Sequence, residues 1–336
     1  MTSRTLSSAM TQVVEVANGR SVHFIWHGGE PLLAGLTFFE EVNKHSQLFR
    51  AKGHSVCNSI QTNGTLVTDR LLDFIATQRD FSLSFSLDGP RDLNDRTRMY
   101  KDGRGCFDDV FSGMHKTRDL AKHTAGFYPG GGVIVVVNKH NIKQLPGIYC
   151  FFRAQRMGFK LIPVIISGSA DKSLAVSPIE FATAMNSLFD TWIDDTESVE
   201  IDPFTTMLGN LLTSEPIGCH HSVSCAGNFV AIGPLGDVYP CGRFDGVPEY
   251  HLGNVNDSGG LAAALNSSCH ERLRHRTAST VPGCTKCEFS AICHGGCMHN
   301  AANSGDLMAR DPFCSAYKLM YAHMRKYLLG ELKRAT

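Results

Sequence analysis

Nine of the twelve cysteines lie beyond residue 218, and eight of those nine have spacings that suit metal binding. These eight are Cys219, Cys225, Cys241, Cys284, Cys287, Cys293, Cys297 and Cys314. The central four follow the pattern Cys-x2-Cys-x5-Cys-x3-Cys, with glycines beside them. A two-residue gap lets two thiolates reach one metal from a single turn. Eight thiolates would serve two sites of four.

The spacing leaves the identity of the metal open, because zinc and iron–sulfur clusters both favour four thiolates. Four nearby histidines could be zinc ligands, although we expect them to be polar surface residues. They are His220, His221, His294 and His299. The remaining cysteines have no metal-binding spacing, and we interpret them as structural: Cys57, Cys106, Cys150 and Cys269. Cys57 and Cys150 lie in apolar segments, where a free cysteine behaves as a small core residue.

Polar motifs follow three predicted strands in the first hundred residues. Residues 26–33 contain two glycines and then Glu30, whose carboxylate can accept hydrogen bonds from a ligand ammonium. Residues 61–65 and 86–90 follow the next two strands, and Arg98 comes soon after. Each motif alone is compatible with an ordinary turn. Because arginine is the natural partner of a carboxylate, Glu30 and Arg98 could together hold the two ends of an amino-acid moiety.

The elements that must position these residues alternate between strand and helix. Apolar, β-branched runs predict strands at residues 21–26, 56–61, 81–87, 132–137 and 161–166. Helical patterns lie between them at residues 38–51, 69–78, 107–121 and 141–157. A further helix should begin after a Ser177 cap, and another should close the chain at about residues 315–333. This alternation predicts a parallel sheet with ligands at the carboxyl ends of its strands.

Composition excludes several classes of protein. The 336 residues carry 32 basic and 32 acidic side chains. The chain therefore has no net positive charge that would attract nucleic acid or an anionic membrane. No apolar run approaches the length of a membrane span, and the first residues do not read as a signal peptide. We therefore expect a cytoplasmic protein, in which cysteines are metal ligands or buried thiols rather than disulfides.

Taken together, the front motifs and the eight-cysteine series resemble those of a radical SAM enzyme with a SPASM auxiliary domain. The likeness is strongest to the anaerobic sulfatase-maturating enzymes and related peptide maturases. It implies an α/β fold: a partial (β/α)6 barrel, here without its first strand, followed by a Cys-rich SPASM domain. We expect the barrel at residues 1–170, a helical bridge at 171–215, and the SPASM domain with the C-terminal helix at 216–336.

The resemblance also implies roles for particular residues. Gly28, Gly29 and Glu30 would bind the amino group of S-adenosylmethionine (SAM), while Ser86 and Arg98 would contact its ribose and carboxylate regions. Gln61 would line the same pocket. Two auxiliary [4Fe–4S] clusters are implied. The inner one would be held by Cys219, Cys225, Cys241 and Cys297. The outer one would be held by Cys284, Cys287, Cys293 and Cys314.

Three departures from the family pattern bear on mechanism. The signature Cys-x3-Cys-x2-Cys, which should precede the Gly-Gly-Glu motif, is absent from the 27 residues before Gly28. The aspartate expected directly after Cys241 as the catalytic base is Gly242, and the histidine expected before Asp95 is Asn94. We expect this chain not to cleave SAM and to bind it weakly. Either the chain is a truncated copy of an active maturase, or it is a degenerate paralogue.

The function expected is that of a maturase-like oxidoreductase modifying a side chain in a peptide or protein. A flavodoxin or ferredoxin would supply electrons. Gly242 argues against ordinary formylglycine formation, because no aligned carboxylate is left to take the substrate proton. A ribosomal-peptide maturase is then at least as good an interpretation as a sulfatase activator. The alternatives are a non-catalytic iron–sulfur scaffold or peptide-binding paralogue, and a zinc-binding structural protein.

Overall fold

The computed structural model of the chain describes residues 1–78, 80–124, 130, 132–168 and 170–335. In this part of the chain, six strands form one sheet and three shorter strands form a second. The strands of the first sheet are β1 Val22–Trp26, β2 Val56–Thr62, β3 Phe81–Ser86, β4 Val133–Val137, β5 Phe159–Pro163 and β6 Ile201–Asp202. Those of the second are β7 Ala231–Ile232, β8 Asp237–Tyr239 and β9 Gly253–Asn254.

The first sheet is parallel and follows the order of the chain. Its strands run in the sequence β1-β2-β3-β4-β5-β6. Val22 of β1 pairs with Val56 of β2, and Asn58 of β2 pairs with Phe81 of β3. Parallel neighbours need a crossover connection, which helices supply. Strands β1, β2 and β3 therefore end at the same edge, where the sequence motifs lie.

Fourteen α-helices are present among the described residues. They are α1 Ser3–Ala17, α2 Leu36–Ala51, α3 Asp69–Gln78, α4 Arg91–Asn94, α5 Phe107–His123, α6 Leu145–Ala154, α7 Pro178–Ile193, α8 Phe204–Thr213, α9 Cys225–Asn228, α10 Gly260–Leu265, α11 Ser268–Arg274, α12 Ser290–Cys293, α13 Met298–Asn303 and α14 Cys314–Ala335. In this described part, no helix has the length and apolar character that a membrane crossing requires.

The chain divides into two compact units, each built from several segments. The first unit comprises Met1–Leu87, Asn94–Ile134 and Phe229–Glu271. The second comprises Asp88–Leu93, Val135–Asn228 and Arg272–Thr336. The division expected from the sequence, with boundaries at residues 170 and 215, stays a prediction.

In the first unit, strand alternation separates a buried face from a more open one. Alternate residues of β2 are buried, including Val56, Asn58 and Ile60, so the residues between them face the other way. Helix α1 is joined to the segment after the second sheet by Gln12. Its side chain donates to the Val255 carbonyl at 2.9 Å and accepts from the backbone of α10 at 2.6 Å.

In the second unit, α7 supplies an apolar stripe that packs against α14. The Ser177 hydroxyl accepts a hydrogen bond from the Glu180 amide at 3.1 Å and caps α7, as the sequence predicts. This stripe is buried, and one of its rings, Phe189, makes edge contacts with Phe204 and Tyr327. Helix α14 therefore begins at a cysteine, and Tyr327 in its second half contacts this aromatic cluster.

The α/β class with a parallel sheet is confirmed, and two details differ from expectation. The strand expected at residues 161–166 is β5, which begins at Phe159 and ends at Pro163. The second half of the expected segment is not strand, since the proline at position 163 has no backbone N–H to donate to a neighbouring strand. The two-residue strand β6, Ile201–Asp202, was not predicted, because so short a run carries no periodicity.

Candidate functional site

Four cysteines of the second unit line one cavity. They are Cys284, Cys287, Cys293 and Cys314. Two cationic side chains, Arg310 and Lys318, share the lining, as does the ring of Phe289. These are the four cysteines to which the family resemblance assigns the outer auxiliary cluster.

Tight turns bring these four sulfurs together. The Cys287 amide donates to the Cys284 carbonyl at 2.9 Å, which folds the two-residue gap into one turn. Cys293 ends the short helix α12, and Cys314 begins α14 after its amide donates to the Asp311 carbonyl at 2.8 Å. Gly295, just past Cys293, adopts a left-handed conformation that favours glycine.

Burial of these cysteines favours their neutral thiol form when no metal is bound. Burial raises the pKa of Cys284, Cys293 and Cys314. Neighbouring thiolates raise the pKa of Cys284 and Cys293 further, and that of Cys293 reaches about 12. Nearby cations, Arg310 first, act against the rise at Cys314. Mutually repelling thiolates in a buried cavity are stabilised when metal binds and their protons leave.

Within the described ranges, no group of three or more His, Cys, Asp or Glu side chains converges on a position for one metal ion. A zinc ion would need all its ligands at bonding distance from one point, whereas a four-iron cube would need four sulfurs around a larger space.

Three cysteines of the inner set lie in the second unit. Cys219 opens a short 3-10 turn, Cys225 begins α9, and Cys297 immediately precedes α13. Cys297 is buried, and its amide donates to the Asp311 carboxylate at 2.9 Å. Cys241 belongs to the first unit, where it follows β8 and precedes the turn Gly242–Phe244. Their grouping as one ligand set stays a prediction.

Several expectations about burial were wrong. His221 and His299 are buried rather than on the surface. The His221 ring packs against Tyr317 and Tyr321, and burial lowers its pKa to about 4. Two cysteines expected in the core, Cys57 and Cys150, are exposed. Strand and helix periodicity explains this, since Cys57 alternates with the buried residues of β2 and Cys150 lies off the buried face of α6.

At the strand ends of the first unit, Glu30 ties two motifs together. Its carboxylate accepts hydrogen bonds from the Leu32 amide at 2.9 Å, the Thr62 hydroxyl at 2.7 Å and the Asn63 amide at 2.7 Å. Two carboxylate oxygens offer about four acceptor positions, so one is left for a ligand donor. The preceding Gly28 and Gly29 both have positive φ, and a Cβ on either would meet no atom within 4 Å.

Two further predicted residues meet at the next strand end. The Gln61 side chain donates to the Ser86 hydroxyl at 3.2 Å, which links the ends of β2 and β3. Arg98 lies beyond β3, where its amide donates to the Asn94 carbonyl at 2.9 Å. Asn94 is fully buried, and its side chain donates to Asp95 at 3.0 Å. Asn94 therefore has a structural role in this turn.

The turn Asp88-Gly89-Pro90 has a structural role. The buried Asp88 carboxylate accepts a 2.8 Å hydrogen bond from the Val136 amide of β4. Gly89 has a φ of +125°, and a Cβ there would approach the Ile148 side chain at 2.9 Å. This turn thus needs its residues for packing, which the sequence alone could not distinguish from ligand binding.

Three charged residues near these sites were not predicted from the sequence. Partial burial and, to a smaller extent, the nearby Arg243 charge lower the pKa of His27. The turn after Cys241 therefore presents a cation, where the family pattern has a carboxylate. In the second unit, Lys160 and Asp202 form an ion pair at 2.5 Å across β5 and β6. They line a second cavity, of about 480 Å³, together with Cys219.

Comparison with known proteins agrees with this geometry. Residues 1–152 match the family model of the radical SAM superfamily, and residues 224–288 match that of the SPASM iron–sulfur cluster-binding domain. A cysteine-type anaerobic sulfatase-maturating enzyme of Clostridium perfringens is 26% identical over 331 residues, covering 96% of this chain and 86% of the relative. A serine-type anaerobic sulfatase-maturating enzyme of Bacteroides thetaiotaomicron is 27% identical over 333 residues, covering 91% and 77%.

Solved structures share the fold. Native anSMEcpe with bound AdoMet superposes with a TM-score of 0.84 at 24% identity, covering 98% of this chain and 89% of that one. Streptococcus suis SuiB bound to precursor peptide SuiA gives a TM-score of 0.61 at 17% identity, covering 94% and 69%. The chain thus resembles the radical SAM superfamily over residues 1–152 and the SPASM iron–sulfur cluster-binding domain over residues 224–288, and it is similar to anaerobic sulfatase-maturating enzymes over most of its length.

Proposed function

We propose that the protein is a radical SAM/SPASM maturase that oxidatively modifies one side chain of a peptide or protein. The observation that carries this proposal is the cavity lined by Cys284, Cys287, Cys293 and Cys314. The maturase names of its relatives and the peptide bound to the related SuiB support a polypeptide substrate. We place the protein in the cytoplasm, where its thiols stay reduced, with a flavodoxin or ferredoxin as electron donor.

The outer cluster fits the residues present. Four buried or half-buried thiols surround a space, and their mutual repulsion is relieved by a cationic cluster core. We assign the inner cluster to Cys219, Cys225, Cys241 and Cys297 on the family pattern. When bound, such clusters carry electrons one at a time to or from a substrate.

The strand-end residues of the first unit suit SAM. Glu30 keeps one acceptor position for an ammonium group, beside an uncrowded Gly28–Gly29 backbone. Gln61 and Ser86 follow along the same sheet edge, and Arg98 would meet the carboxylate. These residues would hold SAM, which, after accepting one electron from an iron–sulfur cluster and breaking its sulfur–carbon bond, would drive the removal of a hydrogen atom from the substrate.

The turn after Cys241 bears on the substrate class. Gly242 supplies no side chain to accept a proton from a sulfatase cysteine or serine. We therefore hold a ribosomally made peptide to be at least as good a candidate substrate as a sulfatase.

The radical-generating cluster needs three cysteines spaced Cys-x3-Cys-x2-Cys, a pattern that these 336 residues do not contain. We infer that this stretch by itself does not cleave SAM. A natural product that carries the pattern upstream would be an active maturase. A product without it would be a non-catalytic iron–sulfur scaffold or peptide-binding paralogue.

The test uses the full natural gene product, purified and reconstituted without oxygen. With SAM and dithionite, we expect 5′-deoxyadenosine to accumulate and to rise when the correct precursor peptide is added. The matched control is Glu30→Gln in the same protein, which should lower the yield. If the natural product holds iron but releases no 5′-deoxyadenosine under reduction, the maturase proposal is wrong and the scaffold alternative stands.

A further inference from the structure

A buried arginine lies among the cysteines of the second unit. Arg276 comes two residues after α11, and 9% of its surface is exposed. Its guanidinium donates to four backbone carbonyls: those of Leu307 at 2.8 Å, Gly296 at 3.0 Å, Gly295 at 2.9 Å and Ala309 at 3.0 Å. The rigid fork of arginine suits such a set of acceptors, and the group stays charged.

The charge of Arg276 reaches both sets of cysteine ligands. Burial lowers its pKa, and the charged form is favoured by Cys297, Asp311, Cys284 and Cys225, in that order. Cys284 belongs to the outer ligand set, whereas Cys297 and Cys225 belong to the inner one. One buried cation is therefore shared by the surroundings of both proposed clusters.

Arg276 also holds the loop that joins the two ligand sets. It binds the carbonyls of Gly295 and Gly296, which lie between Cys293 of the outer set and Cys297 of the inner set. From the other side, the buried Asp311 carboxylate accepts from the Cys297 amide at 2.9 Å. The loop is thus held between two opposite buried charges.

Close approach of a neighbouring side chain explains the glycine at position 296 in this loop. Gly296 has a φ of +74°, and a Cβ there would come within 2.5 Å of the Asp311 side chain. Carbonyls and amides of the loop are therefore fixed by neighbours that leave no room for another side chain. A fixed loop keeps the distance between the guanidinium and the sulfurs constant.

We propose that Arg276 is a positioning residue whose buried positive charge raises the reduction potential of the SPASM clusters. A cluster held by four thiolates becomes more negative when it accepts one electron. A cation in a medium of low dielectric constant stabilises that reduced form. The inference rests on the proposed clusters and adds a residue that sets their reduction potential.

The test compares the oxygen-free, reconstituted wild type with Arg276→Lys, Arg276→Gln and the control Arg153→Gln. Arg153 binds Asp195 and Glu197 and is likewise an arginine of the second unit. Iron and sulfide are counted, and midpoint potentials are measured by electron paramagnetic resonance during redox titration. We expect at least one midpoint to be more negative in Arg276→Gln than in Arg276→Lys, with the control at the wild-type value.

The other outcomes of this experiment also support or contradict the inference. If Arg276→Gln loses its iron whereas Arg276→Lys keeps it, the charge is required and the inference is supported. If both variants lose iron, or both keep it at wild-type potentials, the charge has no such role and the inference is wrong. A wild type without iron would instead contradict the proposed function, so the two failures are distinguishable.

Discussion

The Glu30 carboxylate accepts a 2.7 Å hydrogen bond from the Thr62 hydroxyl, which joins the turn after β1 to the end of β2. The same carboxylate caps the 3-10 turn Pro31–Ala34 through the Leu32 amide. A residue expected to bind a ligand thus first fixes the geometry of the strand ends, because three protein donors occupy most of its acceptor positions.

Replacing Glu30 by Gln should destabilise the protein and weaken SAM binding. An amide at this position turns one acceptor into a donor that faces another donor, from Thr62 or Asn63. We expect a loss of about 1–3 kcal/mol in the free energy of unfolding, measured by denaturant titration, and a higher dissociation constant for SAM in equilibrium dialysis. Glu41→Gln, at the surface where Glu41 accepts from Ser3, is the control. Equal stabilities of the two variants would contradict this role.

Replacing Cys287 by Ala should remove the outer cluster and unfold much of the second unit. Metal–thiolate sites supply on the order of 10 kcal/mol of folding free energy. We expect the iron content to fall by about half and far-ultraviolet circular dichroism to decrease.

Cys57→Ala is the matched control for that loss. Cys57 is exposed and contacts the Val22 carbonyl at a sulfur–oxygen distance of 3.8 Å. Its removal should change the free energy of unfolding by about 0.5 kcal/mol or less. A collapse of iron content in Cys57→Ala would overturn the ligand assignment.

His27 should make the stability of the protein depend on pH near neutrality. Burial of the imidazole and the Arg243 charge lower the pKa of His27 below the ordinary 6.5. The negative charge of Glu30 partly offsets this lowering. The unfolded chain therefore binds the proton first as the pH falls. Stability is fully present above pH 6.5 and decreases as the pH falls through the lower folded pKa.

Unfolding measured at pH 7.5 and pH 5.5 checks this dependence. The loss on acidification should be smaller in Arg243→Gln than in the wild type, because the pKa of His27 rises when the cation is removed. The imidazole resonances of His27 should report that rise directly. An unchanged His27 titration in Arg243→Gln would show that the two residues do not interact.

The sequence was sufficient for the parallel sheet and the strand-end motifs, because regular periodicity and turn residues report them. Glu30, Gln61 and Ser86 lie at strand ends as predicted, with Gln61 bonded to Ser86. The burial of Cys57 was misjudged, since an apolar neighbourhood in sequence does not tell which face of β2 a residue occupies.

Arg276 and Asp311 could not be predicted, for a different reason. Each is a single charged residue in a segment without periodicity, and charged residues are usually exposed. Their importance comes from burial and from hydrogen bonds to backbone groups up to 33 residues away. Only the folded loop brings these partners together, so composition and spacing carry no signal for them.

The most direct test of the account is the iron and acid-labile sulfide content of the 336-residue chain after oxygen-free reconstitution. Two four-iron clusters predict about eight irons and eight sulfides per chain, with broad absorption near ~400 nm. A colourless protein that binds zinc and holds neither iron nor sulfide would contradict the central claim.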